Sequence, residues 1–284
     1  MNKLILSGLM LGLLGSFSYA QSPWLSDSET NKILVEWDKM IFSHEREFNW
    51  REVISGSTVF FITGELGITE NASVMVELPF SYYGYMEEFN VPLSEYERTI
   101  IGNIYIGGKL HIERSQDPDH HMFVELGVRL PTTPEPGMGE GYAHSNGLQS
   151  ELSDRFEAFA YYNDWSIPLI GNYVRTIRDP VAIKFRLGTI WVERKKSENM
   201  LFLLYGLTGL YRTSAIEGYL GINGRSPYYG NNPIFFDDGI SQLRAGVGRP
   251  FNEVVPSIYI RKTLGENYNQ IVDWGYGINI EYRW

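Results

Sequence analysis

The chain of 284 residues is 43% hydrophobic and 20% charged, with 29 Gly and 13 Pro, a balance that supports a folded core and excludes disorder and collagen-like repeats. Its 24 Lys and Arg face 34 Asp and Glu, a net charge of −10 at pH 7, so no basic excess exists to displace counterions from phosphates and nucleic acid is not an expected partner. There is no cysteine, which removes thiol catalysis, thiolate metal sites and disulfides together.

Residues 1–20 open with Lys3, run apolar from Leu4 to Leu14, and approach Gln21 through Ser18, Tyr19 and Ala20. This is the pattern of a cleaved signal peptide for export, and the run is shorter than the roughly 20 apolar residues a spanning helix needs. Residues 21–32 are polar and read as a short N-terminal periplasmic segment. From residue 33 to 284 the dominant period is two, the signature of strands with unlike faces, and the whole stretch reads as one domain.

The candidate strands, in chain order, are 33–42, 57–67, 72–82, 100–112, 122–131, 167–177, 181–192, 200–212, 215–223, 240–249, 254–264 and 271–284. One face of 72–82 carries Ala72, Val74, Val76, Leu78, Phe80 and Tyr82, with Glu77 on the other. Met122, Val124, Leu126, Val128 and Leu130 alternate with Glu125 and Arg129; Val181, Ile183, Phe185 and Leu187 alternate with Lys184 and Arg186. In the last strand every even position from Val272 to Trp284 is apolar or aromatic, while the odd ones include Glu281 and Arg283. Most of these runs reach the roughly 9 to 11 residues a tilted strand needs to cross a bilayer. Tyr82, Trp191, Tyr211, Trp274, Tyr282 and Trp284 lie near segment ends, where interfacial girdles of aromatic rings form.

In hydrocarbon an open sheet edge leaves backbone polar groups unsatisfied, so the sheet must close. The expected fold is all-β: a transmembrane, antiparallel, up-and-down β-barrel of about 12 strands. With both termini periplasmic, the long connections 83–99, 132–166 and 224–239 all face outward, and the short ones at 68–71, 178–180, 212–214 and 250–253 face the periplasm. A weakly alternating stretch at 153–163 would break this parity and is assigned to an outer loop folded over the mouth. Charge is costly on a lipid face, so Glu77, Glu125, Arg129, Lys184, Arg186, Glu281 and Arg283 are expected to line the lumen. They would either pair and close it or line a polar conduit.

Sites for chemistry are sparse. His144 and Ser145 are adjacent, so on a strand they would point to opposite faces rather than act as base and nucleophile. Asp119-His120-His121 lacks a spaced third ligand and reads as a hydrated turn. Gly107-Gly108 lacks the spacing of a nucleotide loop. The charged run Glu193 to Glu198 reads as a solvated outer connection. No metal, no cofactor and no enzymatic activity are expected.

Three stretches add a resemblance. Gly64 to Asn71 followed by Val74 to Phe80, then Gly102-Asn103-Ile104-Tyr105-Ile106-Gly107-Gly108-Lys109, then Val124 to Thr132, together resemble the outer-membrane family named for the meta pathway of phenol degradation. Asn103 departs from that pattern, which more often has an acid there. The terminal Tyr282 and Trp284 are similar to the C-terminal insertion signal of outer-membrane barrels. The resemblance implies a transporter in the outer membrane of a Gram-negative bacterium. Expected partners are outer-membrane lipids, the barrel-assembly machinery and a small-molecule solute. The expected function is passive passage or binding of small molecules, hydrophobic or aromatic ones among them. The alternatives are a closed structural or adhesive barrel with binding loops and a phospholipase-like barrel enzyme.

Overall fold

The computed structural model describes residues 31–42, 47–48, 51–88, 91–114, 120–133, 158–159, 164–195, 199–226, 239–264 and 272–284. Its strands are β1 (Lys32–Phe42, continued by the short piece Glu47–Phe48), β2 (Arg51–Thr69), β3 (Ala72–Glu88), and β4 in two pieces (Val91–Ile101 and Tyr105–Arg114). There follow β5 (His120–Arg129), β6 (Trp165–Arg178), β7 (Val181–Glu193), β8 (Met200–Arg212), β9 (Glu217–Arg225), β10 (Ile240–Gly248), β11 (Val254–Leu264) and β12 (Val272–Arg283). From β2 onward each strand pairs antiparallel with the next, and β12 pairs with β1 from Lys32↔Arg283 to Phe42↔Val272. β1 also lies against β2, where Asn31 Oδ1 accepts from the Gly67 N–H at 3.1 Å. The result is a closed barrel of twelve antiparallel strands.

The two faces divide as the alternation requires. Val74, Leu126, Leu187, Leu203, Ile258 and Ile280 are exposed on the outer face, an apolar belt of the kind that faces lipid. Positions of the opposite parity are buried, and many are polar: Glu36, Glu65, Glu77 and Arg129 all have exposures of 1% or less. Close strand approach is helped where a ring meets a glycine: Tyr219 packs over its partner Gly246, and Tyr259 over its partner Gly277, where any Cβ would collide with the ring.

Short connections, Asn31 and Trp284 share one end of the barrel, called the turn end here. Asn31 and Trp284 exchange backbone hydrogen bonds of 3.1 and 3.0 Å, Arg283 N donates to Glu253 O at 2.7 Å, and Arg212 N donates to Pro180 O at 3.0 Å. Two expectations are corrected. The connection 83–99 is mostly strand: β3 runs to Glu88, and the outer piece of β4 pairs with it from Glu88↔Val91 to Phe80↔Ile101. That hairpin has no single apolar stripe, so period-two reading stopped where lipid-facing alternation stopped. His120 and His121 begin β5 rather than sit in a turn, paired with Arg175 and Val174. Of the stretch 153–163 only Ala158 and Phe159 are described; neither is strand, and both are fully buried.

Candidate functional site

The interior is organised around a node where β4 breaks. At Gly102-Asn103-Ile104 the ladder stops and three consecutive N–H groups take different partners: Gly102 donates to Pro79 O at 2.8 Å, Asn103 to Ala158 O at 2.7 Å, and Ile104 to Thr132 Oγ1 at 2.9 Å. Thr132 Oγ1 in turn donates to Gly102 O at 2.6 Å, and Thr133 N donates to Asn103 Oδ1 at 2.9 Å. Only glycine fits at 102, because a Cβ there would lie 2.6 Å from Ala158 O, 2.8 Å from the Phe159 ring and 2.9 Å from Pro79 Cγ. Arg129 closes the node from β5. Its Nη1 donates to Asn103 O at 2.9 Å, its Nη2 to Glu77 Oε1 at 2.8 Å, and its guanidinium sits 5.6 Å from the Tyr105 ring centroid. Phe159 packs with Val59 and Phe61, so the segment after β5 re-enters the barrel at this point. Residues from the three separate stretches that resemble one family meet here.

Among the described residues, three more polar clusters occupy the interior. Glu65 accepts from Lys109 Nζ at 2.7 Å and Ser73 Oγ at 2.6 Å, with Lys32 Nζ at 3.5 Å. The Tyr259 hydroxyl lies 2.7 Å from Glu36 Oε1 and 2.9 Å from Asp38 Oδ1, while Arg261 Nη2 donates to Asp38 Oδ2 at 2.5 Å. At the turn end Glu217 accepts two bonds of 2.9 Å from Arg283 and one of 2.6 Å from Arg212 Nε, and Arg283 Nε also reaches Glu281. Fixed charges that are paired and hydrogen-bonded in this way hold strands in register, since a buried charge is tolerated only with its partners in place.

Of the seven charges singled out from the sequence, Glu77 and Arg129 form one ion pair and Glu281 and Arg283 another. Glu125 accepts from Asn172 Nδ2 at 2.9 Å, and Lys184 Nζ stands 5.4 Å from the Phe123 ring centroid. Lys184 and Arg186 are half-buried on the inner face of β7. Sequence reasoning missed Asn103, Thr132 and Thr133, and the charges Lys32, Glu36, Asp38, Glu65, Lys109, Arg244 and Arg261. The charges on β1, β10 and β11 carry the same parity signal as the seven; Asn103, Thr132 and Thr133 carry none, because their partners lie 25 to 55 residues away. In the run from Glu193, Asp164 takes both Arg194 Nε, at 3.3 Å, and the Lys195 N–H, at 3.1 Å. His144 and Ser145 lie outside the described residues.

No family model and no curated protein sequence matches the chain. Solved structures do. An outer membrane channel from Pseudomonas putida F1 superposes with a TM-score of 0.64, covering 94% of this chain and 100% of the channel at 10% identity. The fold is that of outer-membrane β-barrels. The transport unit of the autotransporter AIDA-I from Escherichia coli follows at a TM-score of 0.51, with 97% and 96% coverage and 10% identity. LpxR from Salmonella typhimurium superposes less well, at a TM-score of 0.47 and 9% identity over 88% of this chain and 99% of its own. The expectation that the chain is not an enzyme is withdrawn, because one fold carries unrelated functions and the barrel by itself does not exclude catalysis. At these identities the likeness describes the fold alone.

Proposed function

We propose that the chain is exported by its N-terminal signal, inserts in the outer membrane of a Gram-negative bacterium, and mediates passage or binding of small molecules within the barrel. Hydrophobic and aromatic solutes are included. The observation that carries this reading is an apolar cluster inside the barrel: Ile170, Ile190, Val192, Met200, Phe202 and Leu204 on the inner faces of β6, β7 and β8 pack with Met75 of β3 and Tyr105 of β4. The outer faces of the same strands already carry Leu169, Leu187, Leu201 and Leu203. Insertion in lipid requires only the outer set, and interiors of membrane barrels are ordinarily polar, so an apolar cluster inside the barrel is suited to an apolar solute.

In this reading Glu77, Glu125, Arg129, Lys184, Arg186, Glu281 and Arg283 line the path, and Tyr282 with Trp284 forms the signal read by the assembly machinery. Membership in the family named for the meta pathway of phenol degradation is part of the proposal, supported by the convergence of its three resembling stretches on one node. Planar lipid bilayers containing the refolded chain test the reading. Stepwise conductance that is reduced by a small aromatic solute is the expected result. Bilayers that stay silent and a barrel that takes up no aromatic solute would instead favour a closed barrel acting through its loops.

A further inference from the structure

The outward residues of β12 show where the apolar belt of the barrel begins and ends. They run from Trp284 and Tyr282 at the turn end through Ile280 and Ile278 to Tyr276 and Trp274, and the neighbouring outward positions Val35 of β1 and Ile258 of β11 are aliphatic as well. From Tyr282 to Trp274 the strand advances about 27 Å, or roughly 20 Å across a membrane at a tilt of about 40°, near the height of the lipid-facing band of a membrane barrel. The two aromatic ends therefore mark the two edges of that band.

The edges differ in charge. At the end opposite the turns two lysines join the rings. Lys39 of β1 pairs with Tyr276, and Lys262 of β11, one residue beyond the pair Arg261↔Gly275, holds its ammonium 5.0 Å from the Trp274 ring centroid. Trp37 completes the group, edge-on to Tyr276 at 5.6 Å between centroids. Both lysines have the outward parity of their strands, alternating with the buried Asp38, Arg261 and Thr263. Among the described residues neither ammonium has a carboxylate partner, and no outward acid stands on β1, β11 or β12. At the turn end the same three strands carry Ile33, Val254 and Tyr282 outward and no cation, because Lys32 and Arg283 turn inward to Glu65 and Glu217.

An unpaired lysine at a membrane edge extends its head into the headgroup layer, where it attracts phosphate. Lys39 and Lys262 flank β12, two strand spacings apart and offset by two residues, about 12 Å between Cα positions, a gap that two flexible stems can close onto one headgroup. The rings between them form a bed for apolar chains below the phosphate. We infer that this patch holds a phosphorylated glycolipid of the outer leaflet, with Lys39 and Lys262 on its phosphate and Trp37, Trp274 and Tyr276 against its acyl chains. The inference rests on the membrane reading above, with the turn end in the periplasm, and adds to it a lipid site on the outside of the barrel.

Native mass spectrometry of the refolded full chain in detergent tests it, with bisphosphorylated lipid A, its dephosphorylated form and phosphatidylglycerol as the added lipids. One saturable site for bisphosphorylated lipid A is expected, with an affinity that falls roughly 10- to 30-fold in Lys39→Gln with Lys262→Gln and is unmoved by Lys195→Gln, an exposed position beyond β7. Heat-modifiable gel mobility shows that each variant is folded. Equal binding of the dephosphorylated lipid, equal binding of phosphatidylglycerol, or an unchanged affinity in the double variant would overturn the inference. Flotation of the same chain with liposomes keeps the two claims apart. A barrel that floats yet shows no such preference removes the lipid site and leaves the membrane reading, whereas a folded barrel that does not float contradicts both.

Discussion

Arg129 is the residue on which most of the interior turns, since one guanidinium holds the Glu77 carboxylate, the Asn103 carbonyl and the Tyr105 ring. Its exposure is 1% and that of Glu77 is 0%, so removing the cation takes an ion-pair partner from a buried carboxylate. Arg129→Met is expected to destabilise the barrel by about 3–5 kcal/mol, measured by urea unfolding in detergent or lipid. The double variant Glu77→Gln with Arg129→Met should recover a large part of that loss; a double variant as unstable as the single one would show that the ion pair is not what the site needs. At Gly102 the argument is steric. Gly102→Ala should lower the melting temperature and free the segment around Phe159, whereas Gly209→Ala, where the nearest atom to a new Cβ is Leu220 O at 3.7 Å, should be close to neutral. Equal melting temperatures for the two variants would contradict the packing described at the node.

At the scale of elements, the last strand offers a separable test. Trp284 is bound through its backbone to Asn31, while its indole is 43% exposed and stacks on Tyr282 at 5.2 Å between centroids. Trp284→Ala should therefore leave the stability of the refolded barrel nearly unchanged and lower the amount assembled in the outer membrane of cells. A parallel fall in both would assign the ring to packing instead of recognition. Most strand limits were legible because lipid imposes an apolar outer face at every second residue. The pattern of Val272 to Trp284 predicts 271–284 against an observed Val272–Arg283, and 181–192 against Val181–Glu193. The break in β4 was not legible: 100–112 alternates acceptably, and the interruption at Gly102 to Ile104 is imposed by Thr132 and Ala158, which are distant in sequence. The outward hairpin of β3 and β4 was missed because its strands continue without the lipid-facing stripe that identifies the others.

For the molecule as a whole, parity says which charges point inward but not which of them meet. Glu65 reaches Lys109 across 44 residues and Asp38 reaches Arg261 across 223, distances in sequence set by closure and stagger of the barrel. That is why the inward charges of β3, β5, β7 and β12 could be named from alternation while the clusters they form could not. The same closure packs Met75 of β3 and Tyr105 of β4 with the apolar inner residues of β6 to β8. The central claim is that small molecules enter this interior. Swelling of proteoliposomes carrying the purified chain, challenged with solutes graded in size, tests it most directly. Swelling faster than in protein-free liposomes, with a rate that falls as solute size rises, is the predicted result; swelling no faster than in protein-free liposomes for every solute would contradict it.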